Sequence, residues 1–175
     1  MKTRMKCTPG IYLVGFMGCG KTTIGSMLAD RLGWEFVDLD SVIEAEQQQP
    51  IARIFDMQGE EYFRRIETEA LRKQIFRIQS GIPTVVAVGG GAFARPENYA
   101  LLESNGETVW LNCPLDIARR RVEENSERPL ARDPERFQQL YFDRLESYRK
   151  ADYEVKLESD VPEEAVEAIL RLPLF

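Results

Sequence analysis

Short apolar runs alternate along the whole chain with stretches whose apolar positions recur at helical spacing. The runs Ile11–Val14, Phe36–Val37, Thr84–Val88, Thr108–Leu111 and Tyr153–Leu157 predict five strands. Helices are predicted near 21–32, 41–48, 60–79, 96–104, 115–124, 134–150 and 162–171. Regular alternation of this kind predicts an α/β fold, a parallel sheet with helices on both faces. Gly33 is placed to stop the first helix, and Gly81-Ile82-Pro83 to separate the long third helix from its strand. Pro162 suits the first turn of the last helix. There is no internal repeat and no low-complexity tract. Residues 123–134 are polar and carry two prolines between two good helices, and they read either as an inert surface loop or as a lid.

Composition narrows the chemistry more than the fold. A length of 175 residues predicts one domain, here taken as residues 1–175. With 43% hydrophobic residues the chain can build a core without disulfide staples. A net charge of −6 argues against a nucleic-acid partner, which favours a basic face. Basic residues are mostly Arg, whose planar fork grips carboxylates and phosphates bidentately, although biased genome composition would give the same excess. Cys7, Cys19 and Cys113 match no metal or disulfide spacing, so reduced thiols and a cytoplasmic location are expected. The apolar stretch Ile11–Val14 is too short for a signal segment or a membrane span. The chain has no histidine, which removes Ser-His-Asp and Cys-His catalysis and leaves oxygen ligands and a hard cation for any metal.

The strongest motif is Gly15-Phe16-Met17-Gly18-Cys19-Gly20-Lys21-Thr22, set between a predicted strand and a predicted helix. Such a loop turns backbone N–H groups toward phosphate oxygens, and the helix N-terminus adds positive potential. Lys21 is then expected to neutralise the outer phosphates and Thr22 to ligate Mg²⁺. Asp38 and Asp40 follow the second strand, where alternation would point both carboxylates to one side. One suits Mg²⁺ through water and the other a substrate hydroxyl, while a helix cap at Asp40 is the alternative. Gly89-Gly90-Gly91 ends the third strand and allows a ligand to lie against bare backbone, or makes a tight turn. Arg64, Arg128 and Arg144 fall in or near these loops and together could clamp a carboxylate and a moving phosphoryl group. Cys19 reads as a small residue in a tight place or as a reactive thiol, and Trp34 and Trp110 as packing residues.

Taken together, these motifs resemble the shikimate kinase family over nearly the whole chain. The resemblance rests on Gly15 to Gly25, on Asp38-Leu39-Asp40 with Ile43-Glu44, and on Ile54-Phe55. It continues through Gly59-Glu60-Glu61-Tyr62-Phe63-Arg64-Arg65-Ile66-Glu67, Gly89 to Ala92, Arg128-Pro129-Leu130, and Arg144 with Tyr148. It implies a three-layer α/β/α P-loop fold of the nucleoside-monophosphate-kinase type, with a central five-stranded parallel sheet and a small lid. The helical region about 41–66 would serve the substrate and residues 123–134 the lid. It further implies transfer of the ATP γ-phosphate to the 3-hydroxyl of shikimate, with Mg²⁺, in chorismate and aromatic amino-acid biosynthesis. Asp40, Arg64, Gly89, Gly90, Gly91 and Arg144 would hold shikimate, with Asp40 also assisting deprotonation. Gly18, Cys19, Gly20, Lys21, Thr22, Thr23, Arg121 and Arg128 would hold ATP, Arg121 packing on adenine and Arg128 stabilising the transfer. Thr22 would ligate Mg²⁺ and Asp38 would support it through water, in a monomer with no membrane or nucleic-acid partner. The chain departs from the family pattern at Cys19, Val88 and Ala131, none of which removes a charge from the expected site. The competing expectations are a gluconate kinase-like enzyme of the same fold and a non-catalytic nucleotide-binding domain.

Overall fold

The structure is a computed structural model that describes residues 10–124 and 133–174. Five strands, β1 (Gly10–Val14), β2 (Glu35–Asp38), β3 (Thr84–Ala87), β4 (Glu107–Asn112) and β5 (Tyr153–Lys156), form one sheet in the order β2-β3-β1-β4-β5. Every pairing is parallel. A parallel strand covered on both faces reads as a continuous apolar run, and β1 (GIYLV) and β3 (TVVA) are buried at every position.

The connecting helices are α1 (Lys21–Leu32), α2 (Leu39–Gln47), α3 (Ile51–Gln79), α4 (Pro96–Ser104), α5 (Leu115–Glu124), α6 (Pro134–Tyr148) and α7 (Pro162–Leu170). From β1 the chain crosses past β3 to the edge strand β2, then returns in the opposite direction through β3, β4 and β5. Parallel crossovers are right-handed, so this reversal places α1 on one face and the next helices on the other. α7 joins α1, against which it packs, while α2 packs on α3 and α5 on α6. Gly33 closes α1 and Pro162 occupies the first turn of α7, as the sequence predicts.

The helix predicted near 60–79 is present, and two further helical turns from Ile51, which the sequence reading leaves out, precede it across a kink at Gly59 (φ 83, ψ 170), where the backbone is not helical. That backbone angle is open to glycine at little cost and strained for other residues. The apolar spacing Ile51, Ile54, Phe55 marks the preceding turns, and Ile54 is fully buried. The second helix begins at Leu39, so Asp40 lies in its first turn and does not continue the strand alternation of Asp38. The cap is Asp38, whose Oδ1 accepts the Ser41 N–H at 3.2 Å.

Of the three buried tyrosines in the core, the two most deeply buried are Tyr12 on β1, whose hydroxyl donates to the Asn105 carbonyl at 3.2 Å, and Tyr148 at the end of α6. Burial pushes both phenol pKa values up. The folded chain therefore keeps these protons at pH values where the unfolded chain, with tyrosines ionising near ~10, releases them. Stability is expected to fall as pH rises above about 10, and Tyr12→Phe to lessen that fall. Thermal midpoints of both proteins measured across the alkaline range check this, and identical pH profiles would refute it.

Candidate active site

The sheet register sets the site before any side chain is considered. Leu13 of β1 and Asp38 of β2 both stand level with Ala87 of β3. The Val88 N–H extends this ladder, donating to the Leu13 carbonyl at 3.0 Å. The phosphate-type loop, Asp38 and the glycine triplet therefore leave adjoining strands at the same carboxyl edge. At this edge β1 lies between β3 and β4, where connections depart in opposite directions, the place where open α/β sheets bind ligands.

The loop after β1 has the conformation its glycines predict. Gly18 (φ 80) and Gly20 (φ 92) are left-handed, and Gly20 is the residue that enters α1. The Lys21 ammonium donates to the carbonyls of Gly15 at 2.8 Å and Phe16 at 3.0 Å, which centres it over the loop. Cys19 is buried, its Sγ 3.6 Å from Lys21 Nζ, in the tight environment expected of it. Thr22 Oγ1 donates to Asp38 Oδ2 at 2.6 Å, joining the start of α1 to the end of β2. This hydroxyl–carboxylate pair beside a phosphate cradle is an all-oxygen donor set that fits Mg²⁺, which takes few protein ligands besides phosphate and water. Arg121 on α5 donates to the Gly18 carbonyl at 3.2 Å and pairs with Asp160 at 2.9 Å, and Asp160 also pairs with Arg120. Desolvation pushes the Asp160 carboxyl pKa up, but the hydrogen bonds and charges of Arg120 and Arg121 together outweigh it and hold that pKa below the usual value.

A cleft of about 1380 Å³ joins these groups. Its wall includes Lys21, Thr22, Asp38, Asp40, Gly89 and Arg121. Arg64, Gly91 and Arg144 are not part of that wall and adjoin the glycine triplet instead.

The triplet does enter a turn, closed by the Ala92 N–H donating to the Gly89 carbonyl at 3.0 Å, but none of the three glycines has a left-handed φ, so the turn does not require them. Close approach does. A methyl group on Gly89 would stand 2.8 Å from Glu67 Oε1 and 3.0 Å from Asp40 Oδ1. On Gly90 it would stand 3.2 Å from Arg144 Nη1, and on Gly91 2.6 Å from Arg64 Nη2. Each glycine thus leaves room for a charged side chain from α2, α3 or α6. Of the expected acceptor residues, the structure brings Asp40, Arg64 and Arg144 together on this triplet. Arg128 and Ala131 lie outside the described residues, as does the 125–132 part of the expected lid.

Glu67 is a site residue to which the sequence reading gives no role. It is 1% exposed and accepts from Arg64 Nη1 at 2.8 Å across one turn of α3. Burial pushes its carboxyl pKa up, Arg64 draws it down, and the nearby Asp40 carboxylate pushes it up again. The sequence signal is an acidic residue within the apolar stripe Phe63, Ile66, Ala70, Leu71, where an unpaired charge would be costly. Arg144, for its part, lies over the Phe16 ring at 5.7 Å, which ties the triplet back to the phosphate-type loop.

Cationic and amide donors at one end of this edge suit a polyphosphate, and the Asp40 carboxylate with Arg144 and Arg64 along the glycine triplet suits a hydroxylated acid. The family model "Shikimate kinase" matches residues 17–172. A shikimate kinase of Sulfurihydrogenibium sp. is 41% identical over 161 residues, covering 91% of this chain and 95% of that protein. The solved shikimate kinase of Acinetobacter baumannii in complex with shikimate superposes with a TM-score of 0.86 at 34% identity, covering 95% of this chain and 93% of that one. The Aquifex aeolicus shikimate kinase structure gives 0.81 at 36% identity, covering 92% and 94%. With the loop, the glycine triplet and the paired arginine all in place, the chain belongs to the shikimate kinase family.

Proposed function

We propose that the chain transfers the γ-phosphoryl group of ATP to the 3-hydroxyl of shikimate, giving shikimate 3-phosphate and ADP. The observation that carries this reading is the convergence of Asp40, Arg64 and Arg144 on Gly89–Gly91, one strand away from the phosphate loop. Gly18, Cys19, Gly20, Lys21, Thr22 and Thr23 bind the phosphates, and Arg121, steadied by Asp160, packs on adenine. Arg64, fixed by Glu67, and Arg144 take the shikimate carboxylate, while the triplet backbone offers its N–H groups and bare Cα atoms. Asp40 accepts the proton of the attacking hydroxyl as the new O–P bond forms and ADP leaves. Thr22 and Asp38 would hold Mg²⁺, which would supply charge neutralisation at the outer phosphates. Arg128, from the 123–134 lid, stabilises charge on the transferring group. Every group given a role here belongs to one chain, so a monomer of one domain suffices for the reaction.

Steady-state ADP release with shikimate, with gluconate and with no acceptor tests the reading. Turnover is expected with shikimate alone. No shikimate-dependent release at millimolar acceptor overturns it, and release with gluconate instead points to the neighbouring class of acid kinases.

A further inference from the structure

Tyr148 takes no part in the chemistry above, yet it is among the most deeply buried large side chains in the protein, at 1% exposure. It ends α6 four residues after Arg144, so both project from one face of that helix. Its hydroxyl donates to the Gly90 carbonyl at 2.5 Å and accepts from Arg144, and its ring packs on Trp110 with centroids 6.0 Å apart. Burial raises its pKa, so the hydroxyl stays a donor at any working pH. α6 therefore reaches the glycine triplet twice, with a guanidinium beside Gly90 and a phenol on its carbonyl.

A three-glycine run has the softest backbone available to a site, since no side chain limits its dihedrals. The turn bond from the Ala92 N–H to the Gly89 carbonyl spans the Gly90–Gly91 peptide but leaves its plane able to flip, so something else must fix that plane if its amide is to meet a ligand. The peptide is planar and trans, so a carbonyl held toward α6 directs the Gly91 N–H the opposite way. Among the described residues that N–H donates to no backbone carbonyl.

We propose that Tyr148 is a positioning residue for the acceptor site, clamping the Gly90–Gly91 peptide so that the Gly91 N–H is presented to the acceptor. The proposal rests on shikimate being that acceptor. Tyr148→Phe tests it, because the ring and its packing on Trp110 are kept and only the hydroxyl is lost. Shikimate affinity by isothermal titration without ATP, and KM for shikimate, are expected to weaken about fivefold to thirtyfold, the effect of one buried hydrogen bond. KM for ATP and kcat are expected to stay within about twofold, a split that loss of general stability would not produce. Wild-type binding with a variant whose shikimate affinity lies within about twofold of it overturns the role of Tyr148, as does a parallel rise in both KM values. Failure of the wild-type protein to bind shikimate overturns the acceptor reading instead.

Discussion

Asp40→Asn is expected to lower kcat by about 10³-fold while leaving ATP affinity within about twofold. The amide keeps the size and planarity of the carboxylate, so the first turn of α2 and the approach to Gly89 survive. What is lost is the only change that matters for proton transfer, an anion able to take the hydroxyl proton as phosphorus is attacked. ATP is held by a different set of groups on α1 and its loop, which explains why its binding should be spared. Kinetics with saturating shikimate, paired with a nucleotide-binding titration, separate the two effects. If turnover and ATP affinity fall together, Asp40 is a structural residue and the proton goes elsewhere.

The second large effect is expected from the smallest possible substitution. In Gly91→Ala the new methyl group would occupy the space of the Arg64 guanidinium, 2.6 and 2.8 Å from its two terminal nitrogens. Arg64 is a flexible side chain, but it is pinned at 2.8 Å to Glu67, and Glu67 is 1% exposed. Moving the guanidinium away removes a charge-assisted grip on the acceptor carboxylate and leaves a buried carboxylate unpaired. KM for shikimate is expected to rise about 100-fold, with KM for ATP unchanged and a stability loss of about 2 kcal/mol. Denaturant titration and two-substrate kinetics check both parts. An unaltered shikimate KM would mean that Arg64 does not contact the acceptor.

How far the sequence reaches depends on how local the determining signal is. The five strands and the phosphate loop were legible because each is announced by neighbouring residues: continuous apolar runs for buried parallel strands, and spaced glycines before Lys21 and Thr22. The helical turns from Ile51 to the kink at Gly59 were not, because the glycine does break the helix and so short a segment before it shows its helicity only through the packing of Ile54. The pair Asp38 and Asp40 was located correctly at the strand edge but given the wrong geometry. A strand that turns directly into a helix changes the side-chain period from two to 3.6 between them. The glycine triplet was read as a ligand surface or a tight turn, and the charged side chains that crowd it were not foreseen. Which glycine faces which charge depends on contacts to Asp40, Arg144 and Arg64, far away in sequence. Glu67 and Tyr148 went unassigned for the same reason, since each acts on another protein group and not on a ligand.

The register of β1 against β3 has a consequence for how this enzyme should respond to heat. Donor loop and acceptor triplet leave adjacent strands of the buried central sheet, linked by the bond from the Val88 N–H to the Leu13 carbonyl. Their separation is therefore set by a strand spacing of about 4.8 Å, one of the stiffest lengths in a protein. Such a spacing yields only when the sheet itself opens, and central strands open last. Heating should thus leave the alignment of phosphate and hydroxyl intact until the molecule melts as a whole, and loss of alignment and loss of fold become one event.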